Sequence, residues 1–299
     1  MNNIDKVIKT AKKLIDLPHN LFNLNNYPNI LYKNNLPITY NQTSKNHPIR
    51  LMSGRSEYSG IVAMRNSLFS QKSRKIYLVG KGVMFDSGGL DLKSNMSNMH
   101  CDKAGMIIAL CVANYLKGNV VAYCPITTNF VHNSQITPGD QIKIGKKTVT
   151  VTDTDAEGRL ILAEAITELN ASKNDIIITV ATLTGAVEYA IGKKATGVFS
   201  PNNELLKKYA DASHKANEYA WGLPLWDYLE KEFYRTNKIN NWEKEIKCGA
   251  TAGALFIKQF VPNPMNWLHL DIASSAFNGD GSANGVPIKS LVNFIRSIR

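Results

Sequence analysis

KIYLVGKGVMFDSGGLDLK, residues 75–93, decides the fold class. Ile76–Val83 is an apolar run of strand length, as expected for a strand buried on both faces of a parallel sheet. It runs out through glycine-rich turns that carry Lys81, Asp86 and Lys93. In open α/β sheets the ligand site lies beyond the carboxyl ends of the strands, where those charges fall. Outward from this stretch, strands and helices alternate. Gly105–Leu116 reads as an apolar helix, Val120–Thr128 as a strand, and Gln141–Val151 as a hairpin turning at Gly145. Helix Glu157–Leu169, strand Ile176–Leu183, helices Glu204–Tyr219 and Ala250–Val261, strand Trp267–Ile272 and a closing helix Val286–Ile298 follow. The pattern predicts an α/β fold with a mixed, mostly parallel central sheet flanked by helices, one domain over residues 76–299.

Residues 1–75 read as a helical lead-in or linker. Ile4, Val7, Ile8, Ala11, Leu14 and Ile15 recur at helical spacing, whereas Asn20–Asn35 and Asn41–Pro48 suit loops. At 299 residues, 44% hydrophobic and 20% charged, the chain has the composition of a folded protein rather than a disordered one. No apolar run is long enough for a bilayer, and Met1–Asp16 lacks the apolar core of a secretory signal. A cytoplasmic protein with no membrane partner is expected. The net charge of +11 would favour nucleic acid or another anionic surface. The lysines are spread along the chain, however, with only short clusters at Lys72–Lys75 and Lys143–Lys147, and a solvated surface is the simpler reading. Cys101, Cys111, Cys124 and Cys248 form no CxxC pair and are expected to be free thiols.

Three familiar chemistries are excluded. The phosphate-binding spacing GxxxxGK[ST] is absent, Ser87 stands outside a GxSxG elbow, and the histidines show no HExxH pattern. His269, inside an apolar strand, reads as a hydrogen-bonded core residue. The acidic residues say more. Thr152-Asp-Thr-Asp-Ala-Glu-Gly-Arg-Leu160 crowds Asp153, Asp155 and Glu157 onto a strand-to-helix junction. A capped helix start would account for this segment alone, and an N-cap role for Asp102 alone. In extended backbone, though, alternate side chains point the same way, so Asp155 and Glu157 can face one point. Packing carboxylates together is costly unless cations neutralise them, and oxygen donors without histidine suit hard or borderline divalent ions. Asp86, Asp102, Asp155 and Glu157 supply four negative charges, which two divalent cations would balance. Such a pair can clamp a substrate oxygen and activate water, so a metal-dependent hydrolase is expected.

The chain resembles the leucyl aminopeptidase, or cytosol aminopeptidase, family. The resemblance is carried by VGKGVMFDSGGLDLK (79–93), DTDAEGRL (153–160), ATLTGA (181–186), LPLWD (223–227), GATAGALF (249–256) and HLDIAS (269–274), in the family's order. It implies a peptidase domain over about residues 75–299 that trims peptides from the N-terminus. Asp86 and Glu157 would bridge two divalent ions, zinc or manganese, with cobalt or magnesium as further candidates. Lys81 and Asp102 would complete one ion's shell, and Asp155 the other's. Lys93 would polarise the scissile carbonyl, and Arg159 would hold a bicarbonate ion that relays a proton. Thr182, Leu183 and Gly185 would line the pocket for the first side chain, apolar by expectation. Relatives form hexamers through this domain, so a homo-oligomer is implied. Some also act on DNA, which leaves a nucleic-acid-binding homologue without turnover as the alternative.

Several positions depart from the family pattern. Asp153 replaces asparagine, Lys103-Ala104 replaces methionine-glycine, and Ser274-Ser275 replaces a glycine-containing pair. The loop from Lys93 to Asp102 is about two residues short by motif alignment, a length change that loops tolerate. The family's usual N-terminal domain has no counterpart in residues 1–75.

Overall fold

Apolar side chains that alternate between two cores set the architecture. Along Ile76–Gly80, Ile76 and Leu78 join one buried cluster while Tyr77 and Val79 join another. Residues two apart point to the same face of a strand, so the sheet has a core on each side. The computed structural model describes residues 3–44, 47–64, 74–233, 239–243 and 245–299.

In chain order the first elements are α1 (Asn3–Ile15), α2 (Tyr27–Lys33), β1 (Thr39–Gln42), α3 (Pro48–Met52), β2 (Gly60–Met64), β3 (Ile76–Gly80) and β4 (Gly82–Asp86). Then come α4 (Ala104–Leu116), β5 (Val120–Asn129), the hairpin β6 (Gln141–Ile144) and β7 (Lys147–Thr150), α5 (Glu157–Glu168), β8 (Ile176–Ala181), α6 (Ala186–Ile191) and β9 (Ala195–Phe199). The chain closes with α7 (Asn203–Ala216), β10 (Tyr219–Gly222), α8 (Asp227–Phe233), β11 (Ile239–Asn240), α9 (Gly249–Lys258), β12 (Trp267–Asp271) and α10 (Ile288–Ile298).

Nine strands form the main sheet, in the order β1-β2-β5-β3-β8-β12-β9-β10 with β4 continuing beside β5. Its centre, β5-β3-β8-β12, is parallel, while β2 and β9 join antiparallel to their inner neighbours. The sheet is mixed and mostly parallel, as the alternation of elements predicts. β11, β7 and β6 make a small second sheet. α1, α4, α7 and α10 contribute to the core on one face, and α3, α5 and α9 to the core on the other. α4 and α5 have little polar face because they are covered on nearly all sides.

Several details differ from the sequence reading. The single strand expected over Ile76–Val83 is two, β3 and β4, interrupted at Lys81. There the Lys81 N–H still donates to Val180 O on β8, but its carbonyl turns out of the sheet and accepts from Met106 N in α4. The flanking glycines permit the crossing: a Cβ on Gly80 would lie 2.2 Å from Gly105 O, and one on Gly82 2.5 Å from Pro125 O. The asparagine-rich stretch 20–35 also contains α2, which starts on Pro28 in its first turn, a position where a missing N–H costs nothing. And β1 and β2 extend the main sheet beyond β5.

α1 buries Ala11, Leu14 and Ile15 in the same core as α4. Lys103, fully buried, fastens its end: Nζ donates to the carbonyls of Ile15, Leu17 and His100. Residues 65–73, including Lys72 of the short basic cluster, lie outside the described residues. None of the four cysteines is in a disulfide, and Cys101, Cys111 and Cys124 are buried. His269 is buried, with Nδ1 2.9 Å from Thr179 Oγ1. Among the described residues no helix is long and apolar enough to cross a membrane.

Candidate metal centre

The charged residues meet at the carboxyl ends of β4, β5 and β8. Lys81 occupies the break between β3 and β4, and Asp86 ends β4. Asp102 sits on a 3-10 turn (Met99–Lys103) leading into α4, and Asp155 on a second such turn (Thr154–Ala156) leading into α5. Glu157 opens α5, where the helix dipole favours a carboxylate. Gly158 keeps the space above it clear, since a Cβ there would lie 2.6 Å from Lys81 Cε.

Lys81 Nζ lies 2.8 Å from Asp102 Oδ2 and 2.9 Å from Glu157 Oε1, and donates to Thr182 O at 3.1 Å. Lys93 Nζ lies 2.9 Å from Asp86 Oδ2 and contacts Asp155 Oδ1. Two ammonium groups therefore stand among four carboxylates. Lys81, Asp86, Asp102 and Glu157 are buried; Lys93 and Asp155 are partly exposed. Burial opposes the charge on Lys81, but Asp102, Glu157 and Asp86 outweigh it and hold the amine well above the usual lysine range. Burial pushes Asp102, Asp155 and Glu157 upward; Asp86 adds to it and the lysines oppose it. An amine ligates only when neutral. The carboxylates alone drive Lys81 the other way, and only cations placed among them would reverse that direction.

The donor set fits such cations. Ligand oxygens of Asp86, Asp155 and Glu157 fall within 4.8 Å of one another. Asp102 Oδ2 and Glu157 Oε1 are buried, and both face the single Lys81 Nζ, at 2.8 and 2.9 Å. Two buried carboxylates that share one ammonium are short of positive charge, and a divalent ion supplies it.

Beside the carboxylates is a cavity of about 400 Å³, lined by Lys81, Asp86, Lys93, Asp102 and Asp155 on one side. Met99, Cys101, Leu183, Ala273 and Phe277 give it apolar walls, and Asn98, Thr182, Thr184, Gly185 and Gly281 complete it. Thr182 does more than line it: its hydroxyl donates to Asp102 Oδ1 and its carbonyl accepts from Lys81. Arg159 is buried but is not one of the lining residues. Its Nη1 donates to Asn241 O at 2.8 Å, and its guanidinium lies 5.6 Å from the Trp242 ring centre. Asp153 accepts from Asp155 N at 2.7 Å and so caps the turn that carries Asp155.

Sequence reasoning missed several supporting residues. Asn129, the last residue of β5, places Nδ2 2.8 Å from Asp86 Oδ1, 3.1 Å from Thr154 O and 3.4 Å from Glu157 Oε2. Its signal in the sequence is the Thr-Thr-Asn end of an otherwise apolar strand. Asn241 is fully buried; its Oδ1 accepts from Thr152 N and Asp153 N, and its Nδ2 donates to Asp153 O. Asp271, at the end of β12, accepts from Leu183 N and from the Thr184 hydroxyl, and thereby shapes the loop bordering the cavity.

The profile of the cytosol aminopeptidase family, catalytic domain, matches residues 45–292. The "Probable cytosol aminopeptidase" of Chloroherpeton thalassium is 40% identical over 241 residues, which cover 75% of this chain and 47% of that protein. The cytosol aminopeptidase of Homo sapiens is 35% identical over 237 residues, covering 74% of this chain and 45% of the human protein. The chain thus spans about half the length of the curated relatives it matches. Among solved structures, the bottromycin maturation enzyme BotP in complex with Mn aligns with a TM-score of 0.85 at 25% identity, over 98% of this chain and 70% of BotP. With the acidic-lysine motifs in one pocket and a family profile that spans most of the sequence, the chain belongs to the cytosol aminopeptidase family.

Proposed function

We propose that the chain is a metalloaminopeptidase that releases N-terminal residues from peptides at a centre of two divalent cations. The observation that carries this reading is the convergence of four carboxylates on two lysine ammonium groups beside one cavity. Asp86 and Glu157 would bridge the two ions. Lys81 and Asp102 would complete one set of ligands and Asp155 the other. Zinc or manganese suits these donors, and cobalt or magnesium is a further candidate. When bound, the ions supply Lewis acidity and a water nucleophile at neutral pH.

The chain's own residues do the rest. Burial works against the Lys93 charge, but Asp86, Glu157 and Asp155 hold it above the ordinary lysine range. A charged donor on the cavity wall can stabilise the carbonyl oxygen as it becomes an oxyanion. Arg159 is the residue for bicarbonate, its guanidinium oriented by Asn241 O and the Trp242 ring. Met99, Leu183, Ala273 and Phe277 suit an apolar first side chain. Exposed Tyr219, Trp221, Trp226 and Tyr228 would be covered in a homo-oligomer, with a hexamer as the form the family suggests. Sedimentation of the purified chain separates a hexamer from a monomer.

The direct test is hydrolysis of a panel of aminoacyl amides by metal-stripped protein reloaded with zinc, manganese or cobalt. Activity is expected to vanish with chelator, return with metal and fall to background in Asp86→Ala. Lys93→Met is expected to lose about 10²–10³-fold in kcat, the usual cost of removing an oxyanion donor. An unchanged rate in Asp86→Ala would assign the activity to something else.

A further inference from the structure

Glu164 and Glu168 lie two and three turns further along α5 than Glu157, roughly 10 and 16 Å away by the rise of a helix. Four residues apart, they share one helix face. His47, the N-cap residue of α3, meets them there from a distant part of the chain. Its Nε2 is 2.7 Å from Glu168 Oε1 and 3.3 Å from Glu164 Oε1. Ligand-type atoms of all three residues fall within 4.8 Å of one another. His47 and Glu164 are buried, 9% and 7% exposed, and Glu164 Oε2 is buried with no hydrogen-bond partner. A carboxylate oxygen in that state is costly unless something positive reaches it.

We propose that His47, Glu164 and Glu168 form a second cation site, which takes one divalent ion of the zinc–manganese class and ties α3 to α5. One imidazole and two carboxylates make a donor set for borderline divalent ions, and their two negative charges match one such ion. The 3.3 Å separation from Glu164 is close to the roughly 3.4 Å between neighbouring ligands around an ion with bonds of about 2.1 Å, and the 2.7 Å contact with Glu168, a hydrogen bond, opens to admit one. Glu168 is 34% exposed, which leaves a side where water can complete the shell. The arrangement has two costs, the first being the 2.7 Å hydrogen bond between His47 Nε2 and Glu168 Oε1, which an ion replaces. His47 Nδ1 now accepts from Ile49 N at 3.3 Å, and ligation through Nε2 moves the ring proton to Nδ1 and gives up that long cap bond. The site shares no residue with the carboxylate centre and does not depend on the function proposed for it.

The test counts metal. The full chain, stripped and dialysed against micromolar zinc or manganese, is compared with His47→Ala and with Glu168→Gln, the milder change at the more exposed position. Each variant is expected to hold one ion fewer than the parent, or to bind that ion at least about 10-fold more weakly. The zinc-induced rise in melting temperature is expected to shrink in both. Asp86→Ala is expected to keep this ion while losing metal from the carboxylate centre, which separates the two sites. Equal metal content in parent, His47→Ala and Glu168→Gln would overturn the proposal, as would occupancy only at millimolar metal.

Discussion

Asn129 shows how one amide can govern a charged pocket. Its Nδ2 reaches Asp86, Glu157 and the carbonyl of Thr154, so it orients both proposed bridging carboxylates and the turn that carries Asp155. Groups that orient metal ligands are worth about 10–100-fold in affinity. Asn129→Ala is therefore expected to weaken zinc or manganese binding by that factor with little change in fold, as read by competition with a chromogenic chelator. Unaltered affinity would mean that the carboxylates are positioned without it. Asn129 was hard to read in the sequence because its local mark, a polar end to an apolar strand, fits an ordinary strand end equally well. Its importance comes from Asp86 and Glu157, 43 and 28 residues away. The acids themselves were legible because Asp86 and Asp102 join three acids within five residues, a combination that helix capping alone does not cover.

At the scale of elements, the break at Lys81 decides where the lysine points. It needs two backbones in contact, and Gly105 allows this from the side of α4. A Cβ on Gly105 would lie 2.1 Å from Val180 O and 2.9 Å from Lys81 N, far inside contact distance. Gly105→Ala is expected to destabilise the fold by about 1–3 kcal/mol, the range for overpacking a tight interior, and to disturb Lys81 as well. Urea unfolding measures the first effect and metal affinity the second. A variant equal to the parent in both would show that the crossing is looser than drawn. The alternation of strands and helices from Ile76 onward was readable because apolar runs of strand and helix length repeat. The break was not, because Gly-Lys-Gly reads equally well as a strand end or a turn, and only Gly105 and Pro125 across the gap settle it. β9, Ala195–Phe199, also escaped notice. It carries a glycine and a threonine, and its partner β12 lies about seventy residues later.

At the scale of the whole molecule, a chain of net charge +11 buries Asp86, Asp102, Glu157, Glu164, Asp175 and Asp271 but, among the described residues, only Lys81 and Lys103 of its lysines. That distribution is invisible to composition, which is why the net charge said little about partners. The core imposes its own pH limit through His269. Burial pushes this imidazole down to about 3 from an ordinary 6.5, despite its bond to Thr179. Above pH 6.5 neither the folded nor the unfolded chain carries a proton there, and no stability is lost. As the pH falls from 6.5 towards 3, the unfolded chain takes up a proton that the folded one refuses, so stability drops by a few kcal/mol. His269→Leu is expected to show a shallower fall over that window in urea unfolding. Parallel curves for parent and variant would remove His269 as the cause.

The account turns on whether two cations sit where β4, β5 and α5 converge. Anomalous diffraction from crystals grown with saturating manganese or zinc measures this directly. Two peaks are expected, roughly 3.5–4 Å apart, enclosed by Asp86, Asp102, Asp155 and Glu157 with Lys81 Nζ turned to one of them. A featureless map there, with Asp102 and Glu157 still beside Lys81 and Asp86 and Asp155 still beside Lys93, would contradict it.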